Sequence, residues 1–160
     1  MSTSPDAAVQ QLVHRTEITD LVHRLGAALD AGQFDDLRSL LVEDATFRTP
    51  GGTSVGREAV VAQTRRNHRP EQPSQHVISN LLIDLDGARA HARANVVVAY
   101  GPLPSDVDST RPWELPVAYA TGGVSRFDLV RAPDGWRFSG IETVPLWTSG
   151  TPPFRGPTEG

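Results

Sequence analysis

The sequence predicts an α+β domain in which helices come first and an antiparallel sheet follows. Three observations carry this prediction. Apolar residues recur at threes and fours in the first third of the chain, which is the helical period. After residue 74 they alternate by twos in four long stretches, and short Gly and Pro turns join those stretches. The 160 residues suit one domain, which we assign to 1–148, with a Pro- and Gly-rich tail at 149–160.

The helical part divides into three segments. A broad apolar face predicts a long helix that begins at residue 7 and ends near Ala31-Gly32, because glycine commonly follows the last helical turn. A short second helix is expected over 34–41, and a short strand over 45–48. Pro50-Gly51-Gly52 reads as a turn, after which a third helix is expected over 57–67.

The rest of the chain is predicted to be β-structure. Strands are expected over 75–84, 88–100, 115–130 and 135–146, with Asp86-Gly87 as one hairpin turn. Residues 101–113 are rich in Pro, Ser and Asp and form a long loop. Gly122-Gly123 inside the third strand indicates a bulge that curls the sheet. A curled sheet with a long helix across its mouth is expected to form a closed cone with an interior.

Composition excludes several classes of function. The net charge is −4, which argues against a nucleic-acid partner that would need its phosphates neutralised. The chain has no cysteine, and it contains no compact His and carboxylate motif typical of a metal site, so neither a metal nor a cofactor is expected. There is no signal-peptide pattern and no apolar run of membrane-spanning length. We therefore expect a cytoplasmic protein without a membrane partner.

Several short motifs, in order, resemble a known family. Residues 28–37, 40–45 and 55–60 resemble the helical region of SnoaL-like proteins of the NTF2-like superfamily, and 134–138 resembles its last hairpin. Residues 76–80 resemble the histidine-bearing strand of the scytalone dehydratase-like branch. The resemblance implies a cone-shaped, curved, mixed or antiparallel sheet around a deep apolar pocket, covered by three N-terminal helices, the cystatin-like roll. It also implies a homodimer paired through the outer face of the sheet.

The family includes dehydratases, isomerases, cyclases, epoxide hydrolases and binding proteins, so the polar residues of the pocket must decide the function. His76 lies on an otherwise apolar strand, where a histidine is either a hydrogen-bonded core residue or a working base. Asp30 lies beside an apolar helix face and is either an exposed acid or a pocket carboxylate. The resemblance implies that Asp30 and His76 form an acid–base pair.

Other pocket residues follow from strand position and from the resemblance. Asn80 shares a predicted strand face with His76 and is a candidate oxyanion donor, although backbone satisfaction is equally compatible. Leu25 occupies the place where dehydratase-like members often carry a tyrosine. The remaining candidates for substrate contact are aromatic: Tyr100, Tyr119, Trp113 and Trp147. The two tyrosines are equally compatible with a core position in which the hydroxyl is hydrogen-bonded by the protein.

Two further histidines are weaker candidates. Scytalone dehydratase uses a second histidine from its helical region, and His68 is the only residue available for that role. Its neighbours Arg65, Arg66 and Arg69 indicate a solvated basic patch instead. His23 lies two helical turns before Asp30 on the first helix, a spacing compatible with a shared helix face.

The sequence thus predicts a cofactor-independent lyase or isomerase that acts on a small, mainly apolar carbonyl or hydroxyl compound, such as a polyketide, terpenoid or steroid-like molecule. Three alternatives stay open: a non-catalytic ligand-binding protein of the same fold, a partner-binding module with a filled cavity, and an epoxide hydrolase-like arrangement. The last would pair Asp30 with Arg93 or Arg126.

Overall fold

A computed structural model describes residues 4–152, which form three α-helices, two 3₁₀ turns and six strands. The helices are α1 (Pro5–Asp30), α2 (Leu37–Leu40) and α3 (Arg57–Asn67), and the 3₁₀ turns are Phe34–Asp36 and Pro104–Asp106. The strands are β1 (Leu41–Thr49), β2 (Gly52–Val55), β3 (Ser74–Asp86), β4 (Arg89–Tyr100), β5 (Tyr119–Ala132) and β6 (Gly135–Gly150). This is the α+β order that the sequence predicts.

All six strands form one curved sheet in the order β2-β1-β6-β5-β4-β3. Neighbouring strands are antiparallel except β1 and β6, which are parallel. The sheet is therefore mixed. Its edges, β2 and β3, do not pair with each other in the part of the chain that the structure describes, so the predicted closed cone is an open one. The helices cover its concave face.

Element boundaries differ from the predictions mainly where elements are short. The expected second helix is one 3₁₀ turn followed by one α-helical turn, and Leu41 already belongs to β1. Strand β2 replaces part of a predicted turn, because residues 52–55 fold back and pair with residues 46–49. Strand β5 begins at Tyr119 rather than at residue 115, and β6 continues to Gly150.

The sheet curves where the pairing between strands is irregular, at one place that the sequence predicts and at another that it does not. The predicted bulge is confirmed, since the register between β5 and β6 shifts between Gly122 and Gly123. Both positions need glycine: an added Cβ would lie 2.2 Å from the indole of Trp147 at Gly122 and 2.2 Å from the carbonyl oxygen of Val144 at Gly123. A second register shift, in β3 between Ser79 and Leu82, has no glycine to announce it.

The core lies between α1 and the deep half of the sheet. Ile18 and Val22 of α1 are fully buried, as is Phe138 of β6. Near the start of α1, the buried Trp136 donates its indole N–H to Nδ1 of His14 at 3.3 Å, which holds the last hairpin against the helix. The other half of the concave face is not filled by the core.

Candidate active site

A cavity of about 270 Å³ lies between the helices and the concave face of the sheet. Strands β3 to β6 form its walls, and residues from α1, β1 and the end of α3 complete it. Most of the lining is apolar, with Val96, Val98 and Phe127 among the wall residues. No lysine, arginine, aspartate or glutamate of residues 4–152 lines the cavity. It therefore suits a neutral and mainly apolar small molecule.

Asp30 and His76 meet at one wall of this cavity. The carboxylate Oδ1 of Asp30 lies 2.6 Å from Nδ1 of His76. The side chain of His76 lines the cavity and is 9% exposed, whereas Asp30 lies behind it and is 28% exposed. Asp30 is the last residue of α1, and His76 is the third residue of β3. The pair that the resemblance implies is thus formed by a helix end and an edge strand.

Asp30 is fixed by four hydrogen bonds from β3. Its two oxygens accept the backbone N–H of His76 at 3.0 and 3.1 Å, and Oδ1 also accepts the hydroxyl of Ser74 at 3.1 Å. The fourth is the bond from the His76 ring. These donors offset the poor location of an acidic residue at a helix C-terminus, where the helix dipole disfavours negative charge.

Gly26 allows α1 to approach β3 closely enough for this pairing. It lies one helical turn before Asp30, and a Cβ there would lie 3.1 Å from Cδ1 of Ile78 and 3.6 Å from Cβ of His76. A larger side chain would therefore push the helix away from the strand. Gly32, which follows the C-cap residue Ala31, has a positive φ of 67° and prevents the helix from continuing beyond Asp30.

The hydrogen bond to Asp30 sets the tautomer of His76. A carboxylate only accepts, so Nδ1 carries the proton and the neutral ring has its lone pair on Nε2. Within residues 4–152, no protein group is hydrogen-bonded to Nε2. Asp30 stabilises the imidazolium that forms when Nε2 takes a proton. The cavity-lining ring of His76 can thus accept a proton or a hydrogen bond at Nε2.

His68 also lines the cavity, and its assignment to a solvated basic patch is wrong. Its ring stacks on that of His76 with centroids 6.2 Å apart, and its Nδ1–H donates to the carbonyl of Thr64 at 3.0 Å. Burial lowers the pKa of His68 below its ordinary value of 6.5, and the nearby His76 lowers it further. His68 therefore presents a neutral Nε2 acceptor beside the ring of His76.

Tyr100 and Tyr119 line the cavity next to the two histidines, as the sequence predicts. They are register partners on β4 and β5, and their rings lie 5.8 Å apart. Burial, with the charges of Tyr119 and Asp30 adding to it, raises the pKa of Tyr100 to about 12. The Tyr100 phenol consequently stays protonated and can donate a hydrogen bond. Leu25 of α1 also lines the cavity.

Three predicted contact residues do not line the cavity. The bulge in β3 gives Asn80 a positive φ of 52° and turns its side chain to solvent, so it no longer shares a face with His76. Trp113 is 74% exposed in the loop before β5. Trp147 is 48% exposed and covers Gly122 on the outer face, by which we mean the side of the sheet opposite the cavity.

The arginines of the epoxide hydrolase alternative are also misplaced. Arg93 and Arg126 are register partners on the outer face, where both are exposed. Arg126 pairs with Glu142 at 3.6 Å and cannot reach Asp30. The epoxide hydrolase alternative therefore has no support in the geometry.

His23 is exposed on α1, beside a shallow groove outside the cavity that Asp30 and His76 also border.

The described side chains form neither a metal-binding cluster nor a membrane-spanning helix. Among residues 4–152, no group of three or more His, Asp or Glu side chains is close enough to hold a metal ion. None of the helices in that range combines the length and the apolar character that a membrane span requires. The reactive groups of the cavity are thus two imidazoles, two phenols and the carboxylate behind them.

Comparison with known sequences gives relatives without an assigned activity. An uncharacterized protein of Mycobacterium tuberculosis is 29% identical over 133 residues, which is 81% of this chain and 84% of the relative. An uncharacterized protein of Mycobacterium bovis matches to the same extent. These relatives share the chain's length and most of its domain.

Comparison with solved structures identifies the fold. An NTF2-like protein with a cystatin-like fold from Novosphingobium aromaticivorans is 26% identical, with a TM-score of 0.70 over 88% of this chain and 87% of that one. A protein of the same organism that is provisionally named scytalone dehydratase has a TM-score of 0.74, 19% identity, and coverage of 90% and 91%. A type 2 hexachlorocyclohexane dehydrochlorinase has a TM-score of 0.74, 18% identity, and coverage of 96% and 99%.

The family assignment rests on a direct match. The profile of the SnoaL-like domain matches residues 10–142, which contain most of α1, all of α2 and α3, strand β3 and most of the last hairpin. That range includes Asp30 and His76. Together with the NTF2-like architecture of the sheet, this match establishes that the chain belongs to the SnoaL-like domain family.

Proposed function

We propose that this protein is a cofactor-independent lyase or isomerase that removes a proton from a small, neutral, mainly apolar substrate. The observation that carries the proposal is the Asp30–His76 pair, with Oδ1 and Nδ1 2.6 Å apart and the ring in the wall of an apolar cavity. A histidine oriented by a carboxylate in a cavity with few other polar groups is the usual arrangement of a general base.

The chemistry needs no group beyond those of the site. Nε2 of His76 takes a proton from a carbon next to a carbonyl, and the electron pair of the broken C–H bond moves into the enolate. Tyr100, still protonated, donates a hydrogen bond to the enolate oxygen, and Asp30 balances the imidazolium. The imidazolium then returns its proton. In a dehydration, a hydroxyl on the adjacent carbon receives the proton, its C–O bond breaks, and water leaves as the electrons of the enolate form a new C=C and restore the carbonyl. In an isomerisation, a C=C of the substrate extends the enolate, the far carbon receives the proton, and the double bond moves.

The names of two structural neighbours favour elimination over isomerisation. One is provisionally named a dehydratase and the other a dehydrochlorinase, and both names describe the loss of a small acid or water from a substrate. Because their sequence identity to this chain is low, the similarity supports a shared fold only. The substrate is therefore inferred from the cavity itself. Its volume of about 270 Å³ suits a molecule of one to three rings, such as a small polyketide or terpenoid.

Proton abstraction is tested with 2-tetralone, an apolar bicyclic ketone with acidic C–H groups. The protein is incubated with it in D₂O, and deuterium uptake next to the carbonyl is followed by NMR. The wild type should accelerate uptake over buffer, and His76→Gln should reduce the accelerated rate by about 10²- to 10⁴-fold. His91→Gln is the matched control, because His91 forms a similar pair with Asp128 far from the cavity.

The same experiment separates the enzyme from its main alternative. If 2-tetralone binds to the wild type but exchanges no faster than in buffer, the ligand-binding protein becomes the better reading. If His76→Gln exchanges as fast as the wild type, His76 is not the base. The partner-binding module with a filled cavity is already disfavoured, since the described residues leave the cavity open.

We also propose that two copies pair through the outer face of the sheet. One row of register partners crosses four strands there, namely Val77, Val97, Gly122 and Trp147. Val77, Val97 and Trp147 are all exposed, so the row is an apolar stripe on a sheet face. Light scattering after size exclusion should give a dimer for the wild type and a monomer for Val97→Arg. A monomeric wild type would refute this pairing.

A cytoplasmic location stays a prediction.

A further inference from the structure

One polar pair stands apart from the acid–base groups in the cavity wall. Ser125 of β5 and Thr143 of β6 are register partners, and both line the cavity. Their hydroxyl oxygens lie 2.9 Å apart. Ser125 is buried, and its close neighbours along the wall include Phe127 and Ile141, which are also buried. Two hydroxyls thus face a cavity surface that is otherwise apolar at this place.

The pair has one more donor than it can use internally. Two hydroxyls supply two O–H donors, and the hydrogen bond between them consumes one. No third group among residues 4–152 is hydrogen-bonded to either oxygen. The second O–H can therefore be satisfied only by an acceptor inside the cavity, and a donor left unmatched in an apolar wall is costly.

Thr121 provides an instructive contrast on the same strand. It lines the cavity four residues before Ser125, but its hydroxyl donates to the backbone carbonyl of Trp147 at 3.2 Å. Its single donor is therefore occupied by the protein. A hydroxyl at the cavity wall is thus not by itself a binding group; the Ser125–Thr143 pair differs because its remaining donor has no protein acceptor among the described residues.

The histidine end of the cavity has the opposite hydrogen-bonding character. Nδ1 of His76 donates to Asp30 and Nδ1 of His68 donates to Thr64, so both neutral rings present Nε2 as an acceptor. The strand register puts His76 in the same row as Thr121, four residues along β5 from Ser125. At about 3.3 Å per residue, the two rows are about 13 Å apart along the strand.

We propose that the Ser125–Thr143 pair is a binding subsite for a carbonyl or ether oxygen of the substrate. The substrate is then a molecule with two polar ends. At the deep end its oxygen accepts a hydrogen bond from the free O–H of the pair. At the other end a hydroxyl or an acidic C–H contacts the histidines. This inference deepens the proposed function, since it rests on the same cavity being the substrate site and adds the substrate's polarity and orientation.

Two phenols that differ by one oxygen test the subsite. The probes are 4-(4-hydroxyphenyl)butan-2-one and 4-butylphenol, both of which carry a phenol for the histidine end, whereas only the first has a carbonyl. Dissociation constants are measured by calorimetry for the wild type, Ser125→Ala/Thr143→Val and the control Thr121→Val. The measured quantity is the ratio of the two constants within each protein, because this ratio cancels the general apolar contribution.

The double variant should shift this ratio against the ketone by about 5- to 10-fold relative to the wild type, as expected for one lost neutral hydrogen bond. Thr121→Val should shift it by less than about 2-fold, since its hydroxyl is already occupied. An equal ratio in all three proteins overturns the proposal. So does a wild type that binds neither phenol.

A second measurement serves if the double variant does not fold. The carbonyl of the ketone is labelled with ¹³C and observed by NMR in the wild type. A downfield shift on binding indicates a hydrogen bond to the carbonyl and supports the subsite, whereas an upfield shift indicates an apolar environment and overturns it. Both experiments measure binding at equilibrium, whereas the deuterium exchange test measures proton transfer. Failure of the subsite and failure of the proposed catalysis can therefore be told apart.

Discussion

Residues 4–152 contain two His–Asp pairs of nearly the same geometry in different surroundings. Nδ1 of His76 lies 2.6 Å from Asp30, and Nδ1 of His91 lies 2.7 Å from Asp128. His76 is 9% and Asp30 28% exposed, whereas His91 is 67% and Asp128 64% exposed. Only the first pair reaches a cavity. The distance between imidazole and carboxylate therefore says little about function; the surroundings of the free nitrogen decide it.

The physical difference lies in the medium around each pair. Water competes for both groups of the exposed pair, so their interaction is screened and weak. At the cavity wall the ring is shielded, and Asp30 has backbone donors that hold it in place. The carboxylate of the exposed pair has no such backbone donors among the described residues. One pair is therefore preorganised and the other is held only by its own contact.

The largest contrast is expected in activity. Asp30→Asn should reduce exchange of 2-tetralone by about 10²-fold or more, because an amide cannot stabilise the imidazolium and can favour the wrong tautomer. Asp128→Asn should leave the rate within about 2-fold of the wild type. Deuterium uptake by NMR measures both. Equal losses in the two variants would show that the cavity pair has no special role.

Stability should separate the pairs next. Asp30→Ala leaves the backbone N–H of His76, its ring N–H and the Ser74 hydroxyl without their acceptor, so the free energy of unfolding should fall by about 2–3 kcal/mol. Asp128→Ala removes an exposed interaction and should cost less than about 1 kcal/mol. Urea unfolding followed by circular dichroism provides both values. A cost below about 1 kcal/mol for Asp30→Ala would mean that water replaces its contacts.

A glycine beside each pair sharpens the comparison further. Gly26→Val should push α1 from β3 and slow exchange by about 10-fold, since its Cβ would already lie 3.1 Å from Ile78. Gly140→Val crowds Asp128, whose Oδ2 lies 3.0 Å from the added Cβ, but should leave the exchange rate almost unchanged. The deuterium assay is run at a temperature where circular dichroism shows both variants folded. Slower exchange in Gly140→Val alone would contradict the geometry.

The smallest effect concerns the second cavity histidine. Burial lowers the pKa of His68 in the folded protein. As the pH falls below 6.5, His68 is therefore protonated in the unfolded chain before it is protonated in the folded one, which favours unfolding. The stability associated with neutral His68 is therefore complete above pH 6.5 and declines as the pH falls through the lowered folded-state pKa. His68→Phe should flatten this part of the curve, whereas His91→Phe should not. Midpoints of urea unfolding across pH 7 to pH 5 test this; parallel curves for wild type and His68→Phe would refute it.

Periodicity predicted the long elements well and failed where local geometry breaks the period. Helix α1 and strands β3 and β4 lie close to their predicted ranges because each carries many apolar residues in a regular pattern. Helix α3 also lies close to its predicted range, although its apolar residues are few. Asn80 was misplaced because strict alternation assumes an unbroken strand, and the register shift between Ser79 and Leu82 reverses the faces. No glycine or proline in the sequence marks that shift.

His68 was misplaced for a different reason. Its arginine neighbours indicate solvent, and Arg65 indeed reaches Asp35 on the surface. The helix, however, ends at Asn67, and the extended backbone of His68 turns its ring into the cavity. Neighbours in sequence do not share a face where a helix gives way to extended chain. The Asn67-His68 step before Arg69-Pro70 was the available signal, since proline disfavours helix in the residue before it.

Asp30 supports the fold as well as orienting His76, and this combination has a consequence for relatives of this protein. It ends the first helix and also accepts four hydrogen bonds from the edge strand, so the fold itself depends on it. Under the proposed function the ring of His76 performs the chemistry, while its backbone N–H would bind Asp30 whatever side chain the residue carried. In a lineage that abandoned catalysis, selection for folding would retain the aspartate and release the histidine. Under the proposed function, the histidine is therefore the informative marker of an active enzyme among relatives of this protein, and the aspartate alone is not.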